Sequence, residues 1–210
     1  MSPLTWPIVC AVALVGGGAV FAYRKRVHDA EQEQRNRFAG KAAIGGPMSL
    51  VRDDGTPVTD ADYRGRFLLL YFGFTFCPDV CPAELRKMAT VVDLLEKRGI
   101  GADTLQPMFI SLDPNRDTVA QVRYYVRDFH DRLVGFTGTP DQCADAARQY
   151  RVYSSRTGDD NADSNDYLVD HSIITYLVDR GGQFSAYYAQ TKTAAEIADA
   201  VEKEIRAKGL

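Results

Sequence analysis

Two cysteines four residues apart, Cys77 and Cys81, close an apolar run that reads YFGFTFCPDVCP over residues 71–82. Residues 67–74 have the pattern of a buried strand, and a helical pattern follows the two Cys-Pro steps. The thiols therefore stand at the C-terminal end of a strand and the mouth of a helix, where α/β sheets carry their chemistry. A helix N-terminus favours the thiolate, the form that binds metals and attacks disulfides. The spacing alone does not choose between those two chemistries. Three histidines can add to the pair. His28 and His130 lie among charges and read as solvated side chains. His171 lies in YLVDHSII, where a loop is expected to enter a central strand spanning residues 172–178. It is either a ligand or a hydrogen-bonded core histidine. Cys77, Cys81 and His171 together make an S₂N donor set, which suits Cu(I) and also Zn²⁺. Structural Zn²⁺ asks for a fourth ligand. Asp170 is the candidate, but neighbours in an extended segment face opposite ways. Cu(I) accepts three donors and is favoured on that count. The alternative that the two thiols are inert core residues fits poorly, because two Cys-Pro steps suit an exposed loop.

The elements that must position these residues follow from periodicity. A hairpin is expected over residues 48–58, turning at Asp53-Asp54-Gly55. Helices are expected over 83–97, from Asp117 or Thr118 to 129, over 140–150 and over 193–208. Short strands are expected at 107–112, 133–136, 172–178 and 184–188, and a long polar loop at 154–166. Strands alternating with helices at these lengths give a three-layer α/β domain of thioredoxin-like plan.

The chain has 210 residues, with 45% hydrophobic and 25% charged residues and a net charge of -3. That allows one ordinary domain with appendages. No broad basic surface is implied, which argues against nucleic acid. Four cysteines are too few for a disulfide scaffold at this length. Residues 4–23 carry no charge, enough for a helix of roughly 30 Å, and Arg24-Lys25-Arg26 follow. The expected organisation is a membrane anchor over residues 1–23, a charged stalk over 24–46 and the α/β domain over 47–210. Gly45-Gly46-Pro47 marks the last boundary.

The stretch YFGFTFCPDVCPAE, residues 71–84, closely resembles the copper-binding motif of the Sco/SenC proteins, membrane-anchored thioredoxin-fold proteins of cytochrome c oxidase assembly. FISLDPNRDT at 109–118, LVGFTGT at 133–139 and DYLVDHSIITYLVD at 166–179 match as well, and the likeness runs from about residue 24 to the C-terminus. The stalk and Gly45-Gly46-Pro47 resemble the mitochondrial branch. The resemblance implies that Cys77, Cys81 and His171 are copper ligands, for Cu(I) and also Cu(II), with Asp170 beside them. It implies an inner-membrane anchor with the domain in the intermembrane space; the bacterial counterpart is the inner membrane with the domain on the periplasmic side. It implies two protein partners: a small soluble copper chaperone as donor and oxidase subunit 2 as recipient. A homodimer is a further partnership to be tested.

Two functions of different class follow. One is a metallochaperone that holds Cu(I) and passes it on. The other is a thiol-disulfide oxidoreductase in which Cys77 and Cys81 form the redox pair and reduce the cysteines of subunit 2. Thioredoxin-type reductases use CxxC, whereas this chain has CxxxC and a distant histidine. Peroxide reduction rests on the fold alone, and Thr75 stands two residues before Cys77 rather than the three that such sites use.

Overall fold

Strand β3 (Phe67–Gly73) is buried at every position, so it must be covered on both faces. Its period of two divides it cleanly. Phe67, Leu69 and Tyr71 join one apolar cluster, while Leu68, Leu70 and Phe72 join another. Strand β4 (Leu105–Ser111) pairs with it in parallel and is equally buried. The computed structural model describes residues 44–157 and 167–208.

Around this pair the chain forms a seven-stranded sheet in the order β2-β1-β5-β4-β3-β8-β9. The remaining strands are β1 (Ser49–Arg52), β2 (Pro57–Thr59), β5 (Val134–Thr137), β8 (Ile174–Val178) and β9 (Phe184–Ala189). Helices α1 (Val80–Lys97), α2 (Val119–Arg127) and α4 (Ala194–Ala207) lay apolar stripes on one face. Helix α3 (Pro140–Gln149) covers the other through Cys143, Ala146 and Ala147. This is the expected three-layer, thioredoxin-like arrangement. Thr118, Thr139 and Thr193 cap α2, α3 and α4, each accepting a backbone N–H three residues on. Asp117 is therefore not the cap of α2; it turns inward.

Two expectations need correction. The strand expected over 172–178 begins two residues later, and the loop expected to lead into it carries a further strand. Strand β7 (Leu168–His171) ends at the histidine, and β8 begins at Ile174. The supposed loop from residue 154 opens with β6 (Ser154–Thr157), which pairs antiparallel with β7 in a separate two-stranded sheet. Ser172 is held at the break, donating its N–H to Tyr153 O and accepting from Tyr153 N–H through its hydroxyl. The polar sequence of β6 conceals it, because its ladder is made by backbone groups and not by an apolar face.

The expected anchor over residues 1–23 and nearly all of the stalk lie outside the described residues. Among those described, no helix is long and apolar enough to cross a membrane. Ile44–Leu210 forms a compact unit.

Candidate metal centre

The two thiols are set by the turn that joins β3 to α1. Cys77 donates its N–H to Phe74 O, which folds the chain back on itself. Cys81 is the second residue of α1, and its N–H donates to Cys77 Sγ at 3.4 Å. Cys77 is part-exposed, whereas Cys81 is fully buried. The exposed loop expected for both holds only for Cys77. Cys81 can be buried because Gly73 closes β3 beneath it. A Cβ on Gly73 would lie 2.7 Å from Cys81 Sγ and 3.2 Å from the Phe109 ring. The Tyr71 hydroxyl donates to Cys81 Sγ from the core side at 3.7 Å.

His171 reaches the thiols from the end of β7. Its Nε2 lies 3.2 Å from Cys81 Sγ, and its Nδ1 lies 3.2 Å from Ser172 O. A carbonyl can only accept, so Nδ1 carries the proton and Nε2 presents its lone pair to the sulfurs. The ring stands edge-on to Phe74 and Tyr71, with centroids 5.7 and 6.3 Å away. The three residues singled out in the sequence are thus brought together. Their ligand atoms all lie within 4.8 Å of one another. Asp170 is exposed and outside this group.

The electrostatics are asymmetric. The Cys77 thiol is pushed well below its ordinary value, because the Cys81 thiol donates to its sulfur, with the backbone N–H groups of Cys81 and Asp79 also directed at it. That donation and burial push the Cys81 thiol far up. The reduced pair is therefore one thiolate and one thiol sharing a proton. Cys143 shares none of this: burial pushes its thiol up to about 12. Among the described residues, Cys77, Cys81 and Cys143 are free thiols.

The turn before Cys77 rests on a group that its residue type does not reveal. Asp117 is fully buried and accepts from the Thr75 N–H, the Thr75 hydroxyl (2.6 Å) and the Ser111 hydroxyl (2.6 Å). Burial holds its carboxyl above the usual carboxylate range, against the Ser111 and Thr75 hydrogen bonds that favour charge. A second cluster, Asp93, Glu96 and His130, also has its ligand atoms within 4.8 Å. There His130 Nδ1 accepts from Arg132 N–H and Glu96 pairs with Arg132, so the donors are already engaged.

Similarity to known proteins agrees with this centre. A family model described as SCO1/SenC matches residues 36–206. The mitochondrial SCO1 homolog 1 of Arabidopsis thaliana is 42% identical over 212 residues, covering 97% of this chain; the chain spans 62% of that relative's length. The human mitochondrial SCO1 homolog is 44% identical over 208 residues, covering 97% of this chain and 68% of the relative. A crystal structure of Arabidopsis thaliana ScoI with copper bound matches with a TM-score of 0.72 and 47% identity, covering 79% of this chain and 99% of that one. With the thiol pair and the imidazole brought together on this fold, the chain belongs to the SCO1/SenC family.

Proposed function

We propose that this protein is a membrane-anchored copper chaperone of cytochrome c oxidase assembly, with Cu(I) as its cargo. The observation that carries the reading is the convergence of Cys77 Sγ, Cys81 Sγ and His171 Nε2 within 4.8 Å. Two soft thiolates and one imidazole are a donor set for Cu(I). The Nδ1–H to Ser172 O contact orients the imidazole as metal-site histidines are oriented. Cys77, part-exposed, gives an incoming or departing metal its first sulfur, while buried Cys81 holds the deeper one.

The copper reaches the site from a small soluble donor in the mitochondrial intermembrane space and passes to subunit 2 by ligand exchange in a docked complex. Relatives named as mitochondrial support the compartment. The test is a Cu(I) titration against a chelating competitor. Alanine at Cys77, Cys81 or His171 is expected to abolish tight binding in each case. Wild-type affinity in His171→Ala would sink the three-ligand site. Zinc in place of copper in anaerobically purified protein would sink the cargo. Transfer is read by mixing the loaded protein with the metal-free soluble domain of subunit 2, and retention of copper by the donor would refute delivery.

A companion reading is favoured by the thiolate–thiol asymmetry. Cys77 thiolate attacks one sulfur of a subunit 2 disulfide, that S–S bond breaks, and a mixed disulfide forms. Cys81, giving up its proton, then attacks Cys77 Sγ and releases the second subunit 2 thiol. Two electrons leave the Cys77–Cys81 pair, and the recipient gains two thiols. His171 takes no part in that balance. His171→Ala should therefore reduce a disulfide-bonded subunit 2 peptide at the wild-type rate.

A further inference from the structure

The two segments that carry the donors are tied by one cation. Arg116 lies in the turn between β4 and α2. Its guanidinium carbon stands 3.7 Å from the centroid of the Tyr167 ring and 4.9 Å from that of Phe76. Phe76 immediately precedes Cys77, and Tyr167 immediately precedes β7, four residues before His171. Arg116 Nε donates to Asp113 Oδ2 at 2.5 Å, and the Tyr167 hydroxyl donates to Asp113 Oδ1 at 2.5 Å. One carboxylate thus receives both partners. Asp113 is itself rooted at the end of β4, where its N–H donates to the Ser111 hydroxyl and its carbonyl accepts from Arg116 and Asp117 N–H.

The side chains of Arg116 and Asp113 are only 9% and 1% exposed. A buried ion pair of this kind gains little stability over apolar residues of the same volume. Stability alone is therefore a weak account of it. What the planar guanidinium supplies is geometry, since it stacks on two rings while its edge meets the carboxylate, which an ammonium cannot do. The strand it steadies needs the help. Among the described residues β7 pairs only with the four-residue β6, and an isolated two-stranded ribbon is marginal in water.

We propose that Arg116, fixed by Asp113, is a positioning residue of the metal centre: it clamps Tyr167 against the Cys77 turn and so sets where His171 stands relative to the two sulfurs. The inference rests on the Cu(I) reading above. Its informative variants are Arg116→Lys, which keeps the charge beside Asp113 and loses the stacking, and Tyr167→Phe, which keeps the ring and the ion pair and loses the hydroxyl.

Each is expected to weaken Cu(I) binding by about 10-fold, within the range seen when a group that orients a metal ligand is removed. In X-ray absorption the copper–nitrogen contribution should shrink while copper–sulfur remains. In metal-free protein the His171 ring signals in the NMR spectrum should shift or broaden, with the Cys77 alkylation rate unchanged. Arg116→Lys combined with His171→Ala should bind no more weakly than His171→Ala alone. Wild-type affinity and an unmoved His171 ring in both single variants would overturn the proposal. So would a further loss when Arg116→Lys is added to His171→Ala. If His171→Ala itself binds like wild type, the three-ligand reading fails first, and the two failures are told apart in one titration series.

Discussion

At the residue scale the site is governed by where one proton sits. Cys77 is held as thiolate by the Cys81 thiol and the backbone N–H groups, and Cys81 retains its proton far above the usual range. Capturing Cu(I) on both sulfurs must then expel about one proton, and that proton comes from Cys81. The affinity should rise about tenfold per pH unit between about pH 6.5 and 7.5, not the nearly hundredfold that two ordinary protonated thiols would give. Cu(I) competition titrations across that range measure the slope, and a slope of two would contradict the shared-proton arrangement. The sign for reactivity follows from the same depression. The Cys77 thiolate persists as pH falls below neutrality, so its alkylation by iodoacetamide in metal-free protein should stay nearly flat from about pH 8 to 6. An ordinary thiol would slow about tenfold per unit over that span. Gly73 is the residue on which the deeper sulfur depends. Gly73→Ala places a Cβ 2.7 Å from Cys81 Sγ and 3.0 Å from the Tyr71 ring. It should cost about 1–3 kcal/mol in denaturant melts and weaken Cu(I) binding at the same time.

At the element scale the turn between β3 and α1 is not held by its own residues. Thr75 hangs on Asp117, which also anchors Ser111 at the end of β4. Gln121 in α2 donates to the same Thr75 hydroxyl at 3.2 Å. Asp117→Ala would leave the Thr75 N–H and two hydroxyls without their acceptor in the interior. The expected loss is about 3 kcal/mol, read as a lowered denaturation midpoint, with a Cys77 alkylation profile that reverts towards that of an ordinary thiol. The elements that carry apolar stripes, β3, β4 and the four helices, were legible from periodicity to within a few residues. So was the thiol pair, because cysteine announces its chemistry by type. What could not be read were features made by polar atoms turned inward. Asp113, Arg116 and Asp117 look like a solvated loop until burial is known, and Ser154-Ser155-Arg156-Thr157 looks like the loop it partly replaces. Strand β7 was missed because Leu168-Val169-Asp170-His171 reads as the loop leading into the next strand, and its partner β6 carries no apolar pattern.

At the scale of the whole molecule the centre belongs to a unit that spans Ile44–Leu210. A fragment of residues 44–210 should fold cooperatively and bind Cu(I) with the affinity of the full chain, as calorimetry and competition titration would show; a fragment with weaker binding would place part of the site elsewhere. Within that unit the donors come from distant parts of the sequence. Cys81 and His171 are 90 residues apart, and they meet because β8 runs antiparallel beside β3, with Thr175 opposite Tyr71. The order of synthesis follows from this pairing. A chain emerging from the ribosome presents both sulfurs early, when it can offer metal only a dithiol. The imidazole joins after β4, β5 and three helices have been made and the sheet has closed on its C-terminal side. Three-donor capture is therefore a property of the finished domain, and a chain still being made can hold metal through its two thiols alone.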